Sequence, residues 1–337
     1  FTEKILVTLL TKLSNFIPEA GVWMNTLRPE WNDANNALVG YGTSMVTLCY
    51  IRRFVSFLEK LYAGVDASYA LSKEVVVFLR DVLSAFAAHD AECRNGAITF
   101  TDETRRTFVD TVGRAGETYR NAVYAGHSGE KVELATDLLL QFLAKVQTYI
   151  DESIAANRRS DGLYHAYNLV SFTSPSLKRG QGGVLLSHLY EMLEGQVAVL
   201  SAGVLSPAEA ADLLDAMRRS ALYREDQRSY MLYPNRRRPS FLEKNNLPLE
   251  ALSLPIVQRL LADHATDLLV QDCEGGVHFN AGFNNADFLA RAIDASSETV
   301  CAEERQQLLD IYEKMFNHHA FTGRSGTFYK YEGLGCI

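Results

Sequence analysis

A short segment near the amino terminus gathers side chains that suit the chemistry of sugars. Residues 30–36 contain two carboxylates, three amides and one indole, namely Glu30, Trp31, Asn32, Asp33, Asn35 and Asn36. Carboxyl groups transfer protons, amides both donate and accept hydrogen bonds, and an indole offers a flat apolar face with one N–H. A sugar carries hydroxyl groups around its edge and C–H groups on its faces, so this combination fits one. The alternative is structural, because Asn and Asp before a helix commonly serve as caps and turn residues.

The residues that flank this segment indicate a loop mounted on the start of a helix. Pro29 biases the backbone of Arg28 away from helical angles. Gly40 and Gly42 can adopt backbone angles that other residues avoid. A helical pattern of apolar residues begins directly afterwards, at residue 44.

Helical spacing of apolar residues continues along most of the chain. It predicts helices over 1–16, 44–63, 68–91, 101–123, 131–156, 182–200, 206–221, 255–269, 287–295 and 297–315. Three long polar segments separate some of them, at 157–183, 222–248 and 271–285. Segments longer than about 12–15 residues without secondary structure are uncommon unless they are functional. With hardly a convincing strand and no fixed-period repeat, the pattern predicts an all-α toroid of paired inner and outer helices, with a site at the mouth formed by the polar loops.

Composition and charge narrow the classes of partner. The chain has 337 residues, of which 47% are hydrophobic and 22% are charged, and its net charge is -8. We expect no nucleic-acid partner, because that would favour a basic face and the only short basic run is 236–238. We expect no membrane partner either, since no apolar run approaches the roughly 20 residues of a membrane span.

The cysteines and the chain ends support further expectations. The five cysteines are scattered and never spaced Cys-x-x-Cys, which argues against a disulfide framework or a zinc site. We therefore predict a cytoplasmic protein without a metal or organic cofactor. No linker composition divides the chain, so we predict a single domain over 1–337. Because the sequence begins at Phe1 without a methionine and stops at Ile337 directly after a motif-like stretch, we expect a fragment truncated at both ends. The oligomeric state stays open.

The segment Trp31-Asn32-Asp33 resembles the core of the Gly-Asp-Trp-Asn-Asp-Gly motif of the cellobiose-phosphorylase-like enzymes. This sequence departs from the motif at its flanks, with Glu30 for the first Asp and Ala34 for the last Gly. Two later stretches are similar to other parts of that family, in the same order along the chain. Residues 274–278 resemble a Gly-Gly loop that carries a phosphate-contacting histidine, and residues 322–326 resemble a Thr-Gly loop whose backbone cradles phosphate. The resemblance implies an (α/α)6 toroid of the six-hairpin glycosidase kind that acts on β-linked glucosides.

The resemblance also implies a mechanism in which Asp33 is the general acid of an inverting cleavage. Such an acid must be protonated near neutral pH; Trp31 would provide a partly apolar pocket and Glu30 a like charge. In a phosphorylase, inorganic phosphate is the co-substrate and attacks the sugar. The phosphate-binding residues would then be His278, Thr322, Gly323 and Arg324.

A hydrolase is the first alternative, because a carboxylate that activates water would replace phosphate. Glu332 is the candidate base and Glu274 the second. For substrate binding, the residue types favour Glu30, Trp31, Asn32, Asp161, Tyr164, His165, Glu274 and Phe279, although aromatic residues in long loops often only pack the loop down. The substrate would be an oligosaccharide or another glycoside. The second alternative is a non-catalytic helical scaffold that binds carbohydrate, in which the polar loops do not converge on one cavity.

Overall fold

The computed structural model describes residues 1–25, 38–94, 97–173, 182–235, 237, 239–296 and 299–317. Contacts divide them into two compact units. The first is formed by residues 1–25 and 38–235, and the second by residues 237–317, with the gaps just given. The single catalytic domain over residues 1–337 stays a prediction, since contacts within the described part do not test it.

The first unit combines long helices with short strands. Its helices are α1 (Thr2–Leu13), α2 (Met45–Tyr62), α3 (Lys73–Ala87), α4 (Asp102–Tyr124), α5 (Thr136–Ala156), α6 (Leu193–Ala202) and α7 (Pro207–Arg219). Its strands are β1 (Phe16–Ile17), β2 (Gly21–Trp23), β3 (Gly42–Ser44), β4 (Ser68–Ser72), β5 (Cys93–Arg94), β6 (Ala97–Ile98), β7 (Lys131–Ala135), β8 (Tyr167–Phe172), β9 (Val184–His188), β10 (Tyr223–Arg224) and β11 (Ser229–Tyr230).

Capping residues and apolar stripes explain where these helices begin and what they bury. The side chain of Ser44 accepts a hydrogen bond from the backbone N–H of Thr47 at 3.0 Å and so starts α2. Thr101 and Ser206 form capping boxes at α4 and α7. The buried faces of α1 to α7 share one core, whose largest fully buried side chains include Phe16, Phe78, Phe86, Phe108, Phe142 and Tyr149.

An antiparallel sheet of five strands lies in the same unit, in the order β1-β2-β3-β8-β9. Its register aligns Trp23 with Thr43, Thr43 with Asn168, and Asn168 with His188. Directly opposed residues on neighbouring strands are close enough for their side chains to interact. Strands β4 and β7 form a separate antiparallel ribbon, and each leads straight into a helix, α3 and α5 respectively.

The predicted all-α (α/α)6 toroid is therefore wrong, because the fold is mixed α/β. Strand β8 lies inside the predicted polar loop 157–183, and β9 lies inside the predicted helix 182–200. Short strands are stabilised by pairing with residues distant in the sequence, which the local spacing of apolar residues does not reveal. In β9 the apolar run 184–186 is too short for periodicity to separate strand from helix.

The second unit has its own core. Its helices are α8 (Phe241–Lys244), α9 (Leu249–Leu252), α10 (Pro255–Ala262), α11 (Ala286–Ala295) and α12 (Ala302–Phe316), and its strands are β12 (Leu269–Gln271) and β13 (Val277–Phe279). The strands form an antiparallel hairpin, so the predicted loop 271–285 is in part a strand. Ile256, Val257, Leu260, Leu289, Leu308 and Tyr312 are among the residues buried in this core.

Candidate functional site

A buried network of amides lies beneath the five-stranded sheet. Asn168 on β8 and Asn157 after α5 are both fully buried. The side-chain amide of Asn168 donates to the carbonyl of Ala20 at 2.9 Å and to the Oδ1 of Asn157 at 2.7 Å. The amide of Asn157 donates in turn to the carbonyls of Glu19 at 2.7 Å and Ser153 at 2.8 Å. Because a buried polar group without a partner is costly, these bonds hold the turn between β1 and β2 against β8.

Two histidines stack where this network reaches the end of β9. The rings of His165 and His188 have centroids 4.1 Å apart and an interplanar angle of 12°. The Nδ1 of His165 bonds the carbonyl of Leu189 at 3.2 Å, and the Nδ1 of His188 bonds the Oδ1 of Asn168 at 2.7 Å. In each ring Nδ1 is thus engaged, and within the described part of the chain no hydrogen bond involves either Nε2.

The surroundings of the pair favour neutral rings. Burial, the neighbouring His188 and Arg159 lower the pKa of His165 to about 4. Partial burial and Arg159 also lower the pKa of His188, although this side chain keeps access to solvent. At neutral pH both imidazoles are therefore uncharged, and each Nε2 offers a lone pair that accepts a hydrogen bond.

Charged side chains border the histidines. Arg159 forms a forked pair with the carboxylate of Asp161, with a closest distance of 2.7 Å, and lies 3.4 Å from Glu191. The hydrogen bond from Arg159 lowers the pKa of Asp161, so that carboxylate stays ionised. Nearby on β8, the hydroxyl of Tyr167 donates to the carboxylate of Glu194 at the start of α6. The two histidines and the carboxylates beside them can therefore recognise hydroxyl groups, and the guanidinium of Arg159 is already paired.

The sheet also fixes both ends of the segment that carries the predicted acid. The backbone N–H of Met24, after β2, donates to the carbonyl of Gly42 at 2.9 Å, and that of Gly40 donates to the carbonyl of Met24 at 2.7 Å. The indole N–H of Trp23 donates to the carbonyl of Gly40 at 3.1 Å. The described residues on either side of 26–37 are thus joined by hydrogen bonds at neighbouring strands of one sheet. Glu30, Trp31, Asn32 and Asp33 themselves lie outside the described residues, and their roles stay predictions.

Three predicted substrate-binding residues fall in the first unit. His165 belongs to the histidine pair, and Asp161 is paired with Arg159 beside it. Tyr164 is only 5% exposed and packs in the hydrophobic core. Its backbone exchanges two hydrogen bonds of 2.8 Å with the buried side-chain amide of Gln196. The structure thus brings Asp161 and His165 together, whereas the side chain of Tyr164 stabilises the core next to them.

Three further predicted residues fall in the second unit. Glu274 is exposed in the turn of the β12–β13 hairpin, and Phe279 is 2% exposed in the core of that unit, where it meets Tyr312. His278 bonds the carbonyl of Asn245 through Nδ1 and the carboxylate of Asp272, at 2.9 Å, through Nε2. These two bonds raise its pKa and leave no free N–H on the ring to donate to an anion. The contact of His278 with phosphate stays a prediction, as do the roles of Glu274 and Phe279.

The remaining predicted residues lie outside the described part of the chain. They are the candidate base Glu332 and the phosphate-binding candidates Thr322, Gly323 and Arg324.

Sequence reasoning missed His188, Asn168 and Asn157. His188 fell inside a predicted helix, and Asn168 was taken as one residue of a polar loop. One signal was available, since Gly182 and Gly183 precede the apolar run 184–186, two residues before His188, and glycines commonly bound strands. Nothing local signals that Asn168 and His188 oppose each other, because that depends on strand pairing.

A separate cavity of about 250 Å³ lies between α3 and α4. Its lining includes Phe78, Tyr119 and Ala115, with Glu74 and Asp81 among its polar residues. None of the predicted site residues that the structure describes lines it.

The described residues contain neither a metal-binding cluster nor a membrane-spanning helix. No group of three or more His, Cys, Asp or Glu side chains among them is arranged to hold a metal ion. No helix in this part of the chain is both long enough and apolar enough to cross a membrane.

Comparison with known families gave one match. Residues 238–319 match the family model described as GH149 phosphorylase insertion domain 2. The match covers about a quarter of the chain and falls on residues of the second unit, whereas the histidine pair belongs to the first. It supports a glycoside phosphorylase family for this protein. No curated protein matched the chain.

Proposed function

We propose that this protein is a glycoside phosphorylase that cleaves β-linked glucosides or oligosaccharides with inversion, with Asp33 as the general acid. The observation that carries the proposal is the match of residues 238–319 to a phosphorylase insertion domain. The Trp31-Asn32-Asp33 segment supports it independently, because it lies in a different part of the chain. The proposal includes inorganic phosphate as co-substrate, no metal or organic cofactor, and a cytoplasmic location.

The proposed reaction needs one proton and one nucleophile. Asp33 gives its proton to the glycosidic oxygen as the bond from that oxygen to the anomeric carbon breaks. A phosphate oxygen forms a new bond to the anomeric carbon from the opposite face, which inverts the configuration. The products are a sugar 1-phosphate and a shortened acceptor. Thr322, Gly323 and Arg324 supply donors to the phosphate in this proposal.

The histidine pair extends the proposal to the described residues. In the phosphorylase, we assign His165 and His188 to contacts with hydroxyl groups of the bound sugar or of protonated phosphate. Their lowered pKa values and engaged Nδ1 atoms support acceptor roles for Nε2.

The anchoring of residues 26–37 supports the assignment of Asp33. Their flanking residues are joined by backbone hydrogen bonds between β2 and β3, and β3 pairs with β8. A general acid must be held at a defined distance from its substrate, because misplacement by about 1 Å can cost 10²-fold in rate. Flanking residues that are bonded to each other in one sheet meet that need better than flanking residues without such bonds.

Cleavage of β-linked gluco-oligosaccharides with and without inorganic phosphate tests this proposal. We expect a sugar 1-phosphate only when phosphate is present. Replacement of Asp33 by Asn should lower the rate by about 10²–10⁴, the usual contribution of a general acid. The matched control is Asp226→Asn, an exposed carboxylate paired with Arg224, which should leave the rate unchanged.

Two other outcomes would replace the proposal. Free sugar released regardless of phosphate would establish the hydrolase alternative, and Glu332→Gln would then test the base. No product from any substrate, combined with saturable sugar binding in a titration, would establish the non-catalytic carbohydrate-binding scaffold. Unchanged turnover in Asp33→Asn would show that Asp33 is not the general acid, whether the enzyme is a phosphorylase or a hydrolase.

A further inference from the structure

The orientation of one buried amide is determined by backbone carbonyl groups. The Nδ2 of Asn157 lies 2.7 Å from the carbonyl oxygen of Glu19 and 2.8 Å from that of Ser153. A carbonyl oxygen can only accept, so the NH₂ side of this amide must face both. The oxygen of Asn157 is therefore directed at Asn168, where it can only accept.

The same reasoning fixes the next amide. The Nδ2 of Asn168 lies 2.7 Å from the oxygen of Asn157 and 2.9 Å from the carbonyl oxygen of Ala20. Both neighbours are acceptors, so flipping this amide would place its oxygen against two other oxygens. Amide orientation is assigned from such networks, and here each step ends on a backbone group. The Oδ1 of Asn168 consequently faces the Nδ1 of His188, 2.7 Å away.

We infer that this asparagine relay fixes the tautomer of His188, with the proton on Nδ1 and the lone pair on Nε2. An oxygen that can only accept requires a donor opposite it, and Nδ1 is the atom in that place. Asn168 is thus a positioning residue, and Asn157 positions it in turn. The amino acids of the relay span the turn after β1, the end of α5 and strands β8 and β9, so the tautomer is set by the fold and not by solvent.

The charged neighbours act in the same direction. Arg159 lies close enough to lower the pKa of His188, and His165, stacked on the ring, is itself neutral near pH 7. The carboxylates of Asp161 and Glu191 face Arg159 and are paired with it. No carboxylate pairs with His188 among the described residues, so the neutral ring with one defined tautomer is favoured.

The relay determines which ligand group Nε2 can meet. A lone pair on Nε2 accepts a hydrogen bond from a sugar hydroxyl or from the hydroxyl of dihydrogen phosphate, and it does not complement a fully deprotonated oxygen. This part of the inference depends on the proposed function. The tautomer itself does not, so it can be measured on the protein without any substrate.

Nitrogen NMR of the protein labelled with ¹⁵N at histidine decides the inference directly. Long-range correlations between ring protons and nitrogens distinguish a protonated nitrogen from one with a lone pair. His188 is assigned by the signal lost in His188→Gln. At pH 7.5 we expect Nδ1 protonated and Nε2 with a lone pair. The opposite tautomer, or an imidazolium, in the wild-type protein would overturn the relay.

Asn168→Ala extends the test, because it removes the acceptor of the Nδ1 proton. We expect His188 to change to a mixture in which the Nε2–H tautomer, favoured by free neutral histidine, predominates. The matched control is Asn246→Ala, a surface amide of the second unit that donates to the carbonyls of Leu242 and Glu243; it should leave His188 unchanged. A folded Asn168→Ala protein that keeps the pure Nδ1–H tautomer would contradict the relay. A confirmed tautomer without phosphorolysis would instead leave the relay intact and refute the proposed function.

Discussion

The pH dependence of folding stability tests how His165 is held in the first unit. Its pKa in the folded protein is about 4, against about 6.5 for an unfolded histidine. At pH 7.5 the residue is neutral in both states and adds almost nothing to the pH dependence. As the pH falls below 6.5, the unfolded state binds a proton that the folded state does not. The free energy of unfolding therefore decreases until about pH 4, where the folded state also becomes protonated.

These two pKa values correspond to a loss of about 2 kcal/mol between pH 7.5 and pH 5. Because the ring keeps some contact with solvent, we expect about 1–2 kcal/mol. Urea unfolding followed by tryptophan fluorescence is a suitable assay, since Trp23 packs against Phe172 in the same unit. The reference is His165→Asn, which does not titrate and whose amide can still donate to the carbonyl of Leu189.

The difference in stability between wild type and His165→Asn isolates the histidine, because carboxylates common to both proteins cancel. As the pH falls from 7.5 to 5, the wild type should lose about 1–2 kcal/mol of unfolding free energy relative to His165→Asn. A difference that stays constant within about 0.3 kcal/mol, the usual limit of additivity, would refute the reasoning. It would mean that the folded protein accepts a proton on His165 as readily as the unfolded chain.

Two further predictions concern packing and burial. Gly195→Ala should destabilise the first unit by about 1–3 kcal/mol, since an added Cβ would lie 2.9 Å from the Cα of Ala166. The control is Gly113→Ala, which has open space around the added Cβ and should be neutral or stabilising by up to about 1 kcal/mol. Equal shifts of the melting temperature in the two variants would contradict the packing argument. Arg105→Met should lower the free energy of unfolding by about 3–5 kcal/mol in chemical denaturation. The substitution leaves the carboxylate of Glu19 without its ion-pair partner, a guanidinium that is only 7% exposed. A loss below about 1 kcal/mol, as for a surface pair, would show that the pair is not effectively buried.

Local sequence signals predicted the helices of this fold well and the strands poorly. The helices that begin after Thr101 and Ser206 lie where the sequence predicts helices, since a helix start depends on residues only three positions apart. In two predicted helices the first five residues are instead the strands β4 and β7. Those strands exist because residues 68–72 pair with residues 131–135, and no local window contains both.

In the candidate site, too, local sequence signals identified some residues and missed those whose position depends on strand pairing. Residue type alone singled out His165 and Asp161, which do lie together beside Arg159. Their partner His188 was missed because its position depends on the pairing of β8 with β9. Tyr164 carries the same aromatic signal as a sugar-binding residue, yet it is buried in the core. An aromatic side chain in a polar stretch thus does not reveal whether it faces a ligand or the interior.

Strand β8 lies between two strands of the sheet, β3 and β9, and each of them is adjacent in the sequence to a different residue of the proposed function. On one side it pairs with β3, which follows the segment that contains Asp33. On the other side it pairs with β9, which ends at His188. Asn168 lies in the row that crosses all three strands and is fully buried. A fully bonded buried amide is costly to displace, so the register that orients His188 also holds β3, the strand that follows in the sequence the segment with the predicted acid. If Asp33 is the acid, Asn168→Ala should therefore both lose the His188 tautomer and cleave the substrate more slowly. An unchanged rate would show that cleavage does not depend on the His188 tautomer.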